Sequence, residues 1–192
     1  MPPLILSLLR IARRTAVLIL LPLAVGLTAP GTRAATDPMF TTKTGVAFPD
    51  SVTITYRQPV EMRDGVALST HTYLPSPGGP FPTLLVRDIY GNGSQASRQR
   101  LARFATQNGY AFVYQTARGR YDSEGHWYPY FQEIPDGEDT LTWIAGQPWS
   151  NGKVGMLGTS YLASVQWLAA LSRHPALKAI APAMSPGNYY RD

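Results

Sequence analysis

The sequence predicts an α/β fold built on a mostly parallel sheet with flanking helices. Three observations predict it. From residue 82 onward the patterns alternate as strand, helix, strand, helix, strand, helix, strand. The run 82–89, Pro-Thr-Leu-Leu-Val-Arg-Asp-Ile, has a continuous apolar centre, as a strand covered on both faces requires. Residues 154–169 read as a buried strand, a sharp turn at Ser160 and a helix with almost no connection between them.

The first 34 residues stand apart from that fold. Arg10, Arg13 and Arg14 precede an apolar run over 16–27, and the small-residue site Thr32-Arg33-Ala34 follows. This is the order of a secretory signal, so the expected location is periplasmic or secreted. The alternative is an uncleaved membrane anchor. The run is shorter than the roughly 20 apolar residues of a span, and Pro22 interrupts it. No stable span is expected after cleavage. Arg13-Arg14 also allows a twin-arginine route.

The segment carries four arginines and no acid. Without it, 13 of the 17 basic residues remain against 12 acidic ones, and the net charge falls from +5 to +1. The basic balance therefore belongs to the targeting segment and is no footprint for nucleic acid. A chain of 192 residues with 44% apolar and 15% charged residues can form one globular domain. The absence of cysteine excludes disulfides, thiol catalysis, cysteine metal sites and a lipid-modified N-terminal cysteine.

Residues 35–51 are polar and irregular and read as a linker. Val52, Ile54 and Tyr56 then alternate with polar residues, and a second alternating run covers 66–74. Two such runs around Asp64-Gly65 make a β-hairpin. His71 in its second strand reads as a surface or hydrogen-bonded core residue. After the strand at 82–89 and the loop 90–94, a helix is expected over 95–107, with Leu101, Phe104 and Ala105 facing inward and Gly109 past its end. A strand at 110–115 leads into the loop 117–125. Asp136 is expected to cap the next helix, which runs through Leu141, Trp143 and Ile144 to Gly146. His174-Pro175 breaks the helix after Ser160, and 177–183 is one more strand. In such a sheet the binding crevice lies at the carboxyl ends of the parallel strands, where Tyr90, the 117–125 loop and Ser160 all fall.

A strand that turns into a helix within about three residues strains the residue between them and needs small neighbours. That is the physics of a nucleophile elbow, with Ser160 presented at the strand end. Gly158 stands two before the serine. Two after it stands Leu162, and the small residue comes one later, at Ala163. On these residues alone a glycine-rich loop before a serine-capped helix also fits.

Several motifs, in joint order and spacing, carry a resemblance. They are Leu-Leu-Val-Arg-Asp-Ile-Tyr at 84–90, Ala-Arg-Gly at 117–119 with Ser-Glu-Gly at 123–125, and Glu-Asp-Thr-Leu-Thr-Trp-Ile at 138–144. The longest is Gln-Pro-Trp-Ser-Asn-Gly-Lys-Val-Gly-Met-Leu-Gly-Thr-Ser-Tyr-Leu-Ala at 147–163, with Ala-Leu-Lys-Ala-Ile-Ala-Pro at 176–182. Residues 52–192 thus resemble the cocaine-esterase and X-prolyl dipeptidyl-peptidase-like α/β-hydrolases, the CocE/NonD family. The elbow of that family is G-x-S-Y-x-G, which accounts for the displaced small residue, with Ala163 in place of the last glycine.

The resemblance implies an α/β-hydrolase fold and a serine hydrolase without cofactor or metal. It acts on a small-molecule ester, amide or peptide. Ser160 would form an acyl-enzyme, helped by a base. The tetrahedral intermediate would be held by the backbone N–H of Tyr161, at a helix N-terminus, and by the phenol of Tyr90. Acyl-ester hydrolysis is the expected reaction. X-Pro peptidase and α-amino acid ester hydrolase are the alternatives within the family. Members of the last group carry a carboxylate just after the oxyanion tyrosine, where this chain has Gly91 and Asn92. A noncatalytic exported binding module or a decayed remnant is the alternative of another class.

Other polar residues have plainer readings. Glu133, Asp136, Glu138 and Asp139 gather at a helix start, where acids are favourable without a metal. Asp122 and Glu124 sit in a turn-rich loop that Arg118 organises, and Trp143, Trp149 and Trp167 read as packing residues. The triad order in α/β-hydrolases is serine, acid, histidine. After Ser160 only His174 and Asp192 are available. His174 falls near the strands' amino ends and Asp192 is the last residue, so neither completes the site. The expectation is an N-terminal portion of the catalytic domain, incomplete at its C-terminus, with the cap, remaining strands and a C-terminal β-sandwich absent, and inactive by itself.

Overall fold

The computed structural model describes residues 51–91 and 95–185. The expected signal at 1–34, nearly all of the linker, Asn92 and Asp192 lie outside them. The element order is β1 (Val52–Glu61), β2 (Ala67–Pro75), β3 (Phe81–Asp88), α1 (Gln95–Gln107), β4 (Ala111–Thr116), α2 (Glu133–Ala145), β5 (Ser150–Thr159), α3 (Tyr161–Leu171) and β6 (Leu177–Ala183). The described strands form one six-stranded sheet in the order β1-β2-β4-β3-β5-β6. β3, β4, β5 and β6 run parallel, while β2 is antiparallel to β4 and to β1. The predicted alternation and hairpin are both present. β1 carries a register shift between Thr55 and Gln58 that lengthens it past the expected run.

Period-2 alternation splits the core into two layers. Leu85, Val113, Val154 and Met156 point to the face covered by α2 and α3, where Leu141, Ile144, Val165 and Ala169 meet them. Val86, Phe112 and Tyr114 point to the other face, under Ala102 and Ala105 of α1. Each large side chain removed from water here contributes about 1.5–3 kcal/mol. A third cluster, Val60, Met62 and Leu68, packs the turn end of the hairpin against Trp143.

One expectation on each of the three described helices is corrected. Phe104 does not face inward but is 59% exposed. The buried stripe of α1 is Arg98, Gln99, Ala102, Ala105 and Thr106, at helical spacing, and Phe104 falls on the opposite side of the helix. Asp136 is no cap: α2 begins at Glu133, with Gln132 before it, and the Asp136 amide already donates to Gln132 O at 2.9 Å. Pro135 in that first turn costs nothing, since its missing N–H would have had no helical partner. Trp167 is half exposed on α3, whereas Trp143 and Trp149 do pack, edge to face at 6.1 Å.

His71 is buried between the rings of Tyr56 and Tyr114. It is not the hydrogen-bonded core residue expected, because its Nδ1 has no hydrogen-bond partner among the described residues. Burial, together with the charges of Arg98 and Arg57, pushes its pKa down to about 3. The native state therefore holds it neutral while the unfolded chain protonates it near pH 6.5. Its contribution to stability is complete above that pH and is lost as the pH falls toward 3. Urea titrations should show stability declining by up to about 1.4 kcal/mol per pH unit in this window. His71→Leu should flatten the slope, and an unchanged slope would count against this origin.

Candidate active site

The register Leu85↔Met156 between β3 and β5, continued by three residues, sets Asp88 beside Thr159. The two chains therefore leave the sheet side by side at its carboxyl edge. One carries Tyr90 and the other Ser160. The phenolic hydroxyl of Tyr90 lies 3.2 Å from Ser160 Oγ. Ser160 has φ 62 and ψ −126, a conformation that costs a non-glycine residue about 1–3 kcal/mol. The elbow geometry is thus present, in place of an ordinary serine cap: Ser160 makes no side-chain cap bond to α3.

What holds the turn is visible around it. The Ser160 amide donates to Ala183 O at the end of β6, at 2.9 Å. Gln166, fully buried, donates to Gly158 O at 3.3 Å and to Leu162 O at 2.9 Å, and accepts from the Ala181 amide at 2.9 Å. Gly158, with φ 151, lets strand and helix pass: a Cβ there would lie 2.5 Å from Leu162 Cβ. Ala163, also fully buried, is accommodated in the helix without that conflict. The Tyr161 amide sits in the first turn of α3, where N–H groups have no helical acceptor and face the positive end of the helix dipole.

The Tyr161 side chain has a role the sequence did not disclose. Its hydroxyl donates to Glu133 Oε1 at 3.0 Å and accepts from the Tyr130 amide at 3.0 Å. Burial first, then the neighbouring Glu133 charge, raise its pKa well above the ordinary phenol value, so it stays protonated. Glu133 is 4% exposed and bonds Arg87 Nη1 at 2.6 Å. Arg87 also donates to Gln115 Oε1 at 3.1 Å and lies 3.7 Å from Asp136. Asp136 in turn accepts from Arg118 at 2.6 Å, and Arg118 reaches Asp64 in the hairpin turn at 2.8 Å. The Arg118 bond lowers the Asp64 pKa. The four acids read as a helix-start cluster are therefore all ion-paired. Glu138 and Asp139 both hold Arg63, each at 2.7 Å.

Tyr90 has its own supports. Asp88, fully buried, accepts the Tyr90 amide at 2.8 Å and the Tyr114 hydroxyl. Asp122 pairs with Arg57 and Glu124 accepts the Ala67 amide, so both serve the loop. His174 bonds Thr142 and the Ala176 amide where β6 begins, away from Ser160. An open cavity of about 440 Å³ lies there too, lined by Arg173, His174 and Lys178. It lies by the start of β6, at the other end of the sheet from Ser160. Arg87, Asp88, Glu133 and Gln166 were missed as site supports. For the first two a signal existed, a charged pair inside a strand otherwise reading as buried.

Comparison with known proteins decides the family. The model of the X-Pro dipeptidyl-peptidase (S15) family matches residues 64–192, two thirds of the sequence. The chain belongs to that family. Cocaine esterase of Rhodococcus sp. (strain MB1 Bresler) is 44% identical over 138 residues, covering 69% of this chain and 24% of that protein. A CocE/NonD family hydrolase from Staphylococcus aureus superposes with a TM-score of 0.65 at 30% identity, covering 73% of this chain and 29% of that one. An alpha-amino acid ester hydrolase gives 0.62 at 29% identity, with 78% and 29% covered. The S15 chain thus has the α/β-hydrolase fold, and it spans about a quarter of the length of the curated relatives it matches.

Removing one member of a buried ion pair leaves the other charge unmet, at a cost of about 3–5 kcal/mol. Arg87→Met should therefore lower the unfolding free energy from urea titration by that much, since it strands Glu133, while Asp136 keeps Arg118. A loss below about 1 kcal/mol would show that the network is not supporting the fold.

Proposed function

We propose that this chain carries the nucleophile and oxyanion donors of a serine hydrolase that cleaves acyl ester or amide bonds. One observation carries the reading: the Tyr90 hydroxyl lies 3.2 Å from the hydroxyl of Ser160, which stands on a strained strand–helix turn. Ser160 Oγ attacks the substrate carbonyl carbon, and its proton passes to a base. The carbonyl oxygen takes up the negative charge between two donors, the Tyr161 amide and the Tyr90 phenol. The intermediate collapses to the acyl-enzyme as the alcohol or amine leaves with the proton. Water then repeats the sequence and frees the acid. A phenol suits the second donor, because its O–H can donate a hydrogen bond to the developing oxyanion.

Among the described residues no histidine is bonded to Ser160, and His126 is exposed on the loop after β4. His174 is engaged at the amino end of β6 and His71 lies inside the sheet. The reading extends to an export signal in residues 1–34, supported by their charged, apolar, small-residue order.

Among family substrates, acyl esters fit best. Recognition of a substrate ammonium would need a carboxylate beside the oxyanion tyrosine. At position 91 any Cβ would lie 2.1 Å from the Tyr121 ring, so Gly91 cannot be exchanged for an acid while that ring stays in place. The curated relative named cocaine esterase is in keeping with this preference.

A fluorophosphonate probe tests the nucleophile. The intact protein should label, and Ser160→Ala should not. Labelling that survives Ser160→Ala, or no labelling of folded protein, would favour a noncatalytic role. Tyr90→Phe should lower kcat on p-nitrophenyl acetate by about 100-fold or more, the cost of one oxyanion donor, with fold and labelling site kept.

A further inference from the structure

The loop that follows β4 reaches the site at Tyr121, and that residue is built in an uncommon way. Its φ is 52, a backbone conformation rare for a bulky side chain and usual only where the surroundings impose it. It is 52% exposed, yet its hydroxyl donates to the backbone carbonyl of Tyr90 at 2.5 Å. Its ring lies directly over the Gly91 backbone, filling the space of a side chain there. Gly91 itself has φ 59. The neighbouring Arg120 is fixed in the same direction. Its Nε donates to Ile89 O at 3.0 Å, and its guanidinium lies 5.4 Å from the Tyr121 ring centre and 5.0 Å from that of Trp127. The two carbonyls that precede and follow the Tyr90 amide are thus gripped from one loop, while Asp88 holds the amide between them.

We propose that Tyr121 is a positioning residue that latches the Tyr90 backbone over Gly91 and so holds the Tyr90 hydroxyl at Ser160. The inference rests on the reading of Tyr90 as an oxyanion donor. Rotation about the Tyr90 N–Cα bond would swing its carbonyl and its phenol away together, and glycine at 91 gives the following chain no steric restraint of its own. The Tyr121 ring supplies that restraint from outside and its hydroxyl fixes the carbonyl. Tyr121 makes no hydrogen bond to Ser160 and spends its hydroxyl on the Tyr90 carbonyl, so its effect passes through Tyr90. A donor that strays by an ångström loses transition-state stabilisation while ground-state binding is little changed.

A double-mutant cycle on the intact protein with p-nitrophenyl acetate tests this. Tyr121→Phe keeps the ring and removes the latch, and should lower kcat about tenfold with KM unchanged. In a Tyr90→Phe background, where no phenol remains to be positioned, the same change should cost nothing further. Gly91→Ala, which displaces the ring, should reproduce the loss and be masked in the same way. Additive losses, or full kcat in Tyr121→Phe or Gly91→Ala, would overturn the proposal and leave Tyr90 as donor untouched. Full kcat in Tyr90→Phe alone would instead remove the oxyanion reading, and the latch with it.

Discussion

The Arg87 guanidinium has no access to water, so its charge must be met inside the protein or the fold fails. Everything near the site answers to that requirement. Glu133 and Asp136 approach from the first turn of α2, and Gln115 from the adjacent strand. The need to place two carboxylates there fixes where α2 begins. It also explains why Asp136 is spent on pairing instead of capping. The buried arginine sits one residue before Asp88, which alternation turns to the opposite face of the sheet. One residue thus anchors α2, and the next anchors Tyr90.

Such a network is not a cheap source of stability, since desolvation of buried ions cancels much of their attraction. Its value lies in geometry. Glu133 accepts the Tyr161 hydroxyl on one side and Arg87 on the other. Arg118 carries the chain of charges on to Asp64 in the β1–β2 turn. The hairpin, the start of α2 and the elbow are therefore registered to one another through directional bonds, where apolar packing alone would tolerate sliding. Gln166 and Ala183 complete the hold on the serine turn from the β6 side. The strain at Ser160 persists because these contacts leave the turn no relaxed alternative.

Much of this was legible in the sequence, for identifiable reasons. Strand and helix periods are local, so the element order and the edge-on placement of Tyr90 and Ser160 could be read from residues 82–183. The resemblance added their pairing. What escaped were interactions between residues far apart in the chain, such as Arg87 with Glu133 or Arg118 with Asp64, for which spacing carries no information. Asp136 looked like a cap because capping is judged from neighbours, whereas its partners lie in β3 and in the loop after β4. Phe104 looked internal because it is large and apolar. The space above that part of the sheet is filled by the small stripe of Ala102 and Ala105, which brings α1 close. His71 was placed correctly in a strand, but its missing hydrogen-bond partner could not be foreseen.

The grip on the Tyr90 loop is exerted almost wholly on main-chain atoms: the Ile89 and Tyr90 carbonyls and the Tyr90 amide. Main-chain atoms are the same whatever side chain a residue bears. Meanwhile Tyr128 and Phe131, farther along the loop after β4, are 68% and 84% exposed. Substitution at such positions would alter that exposed surface without loosening the bonds that hold the Tyr90 backbone. The fold thereby separates two jobs that compete in many enzymes. The outer face of this loop is therefore free to change over generations, and the hold on Tyr90 need not be rebuilt each time.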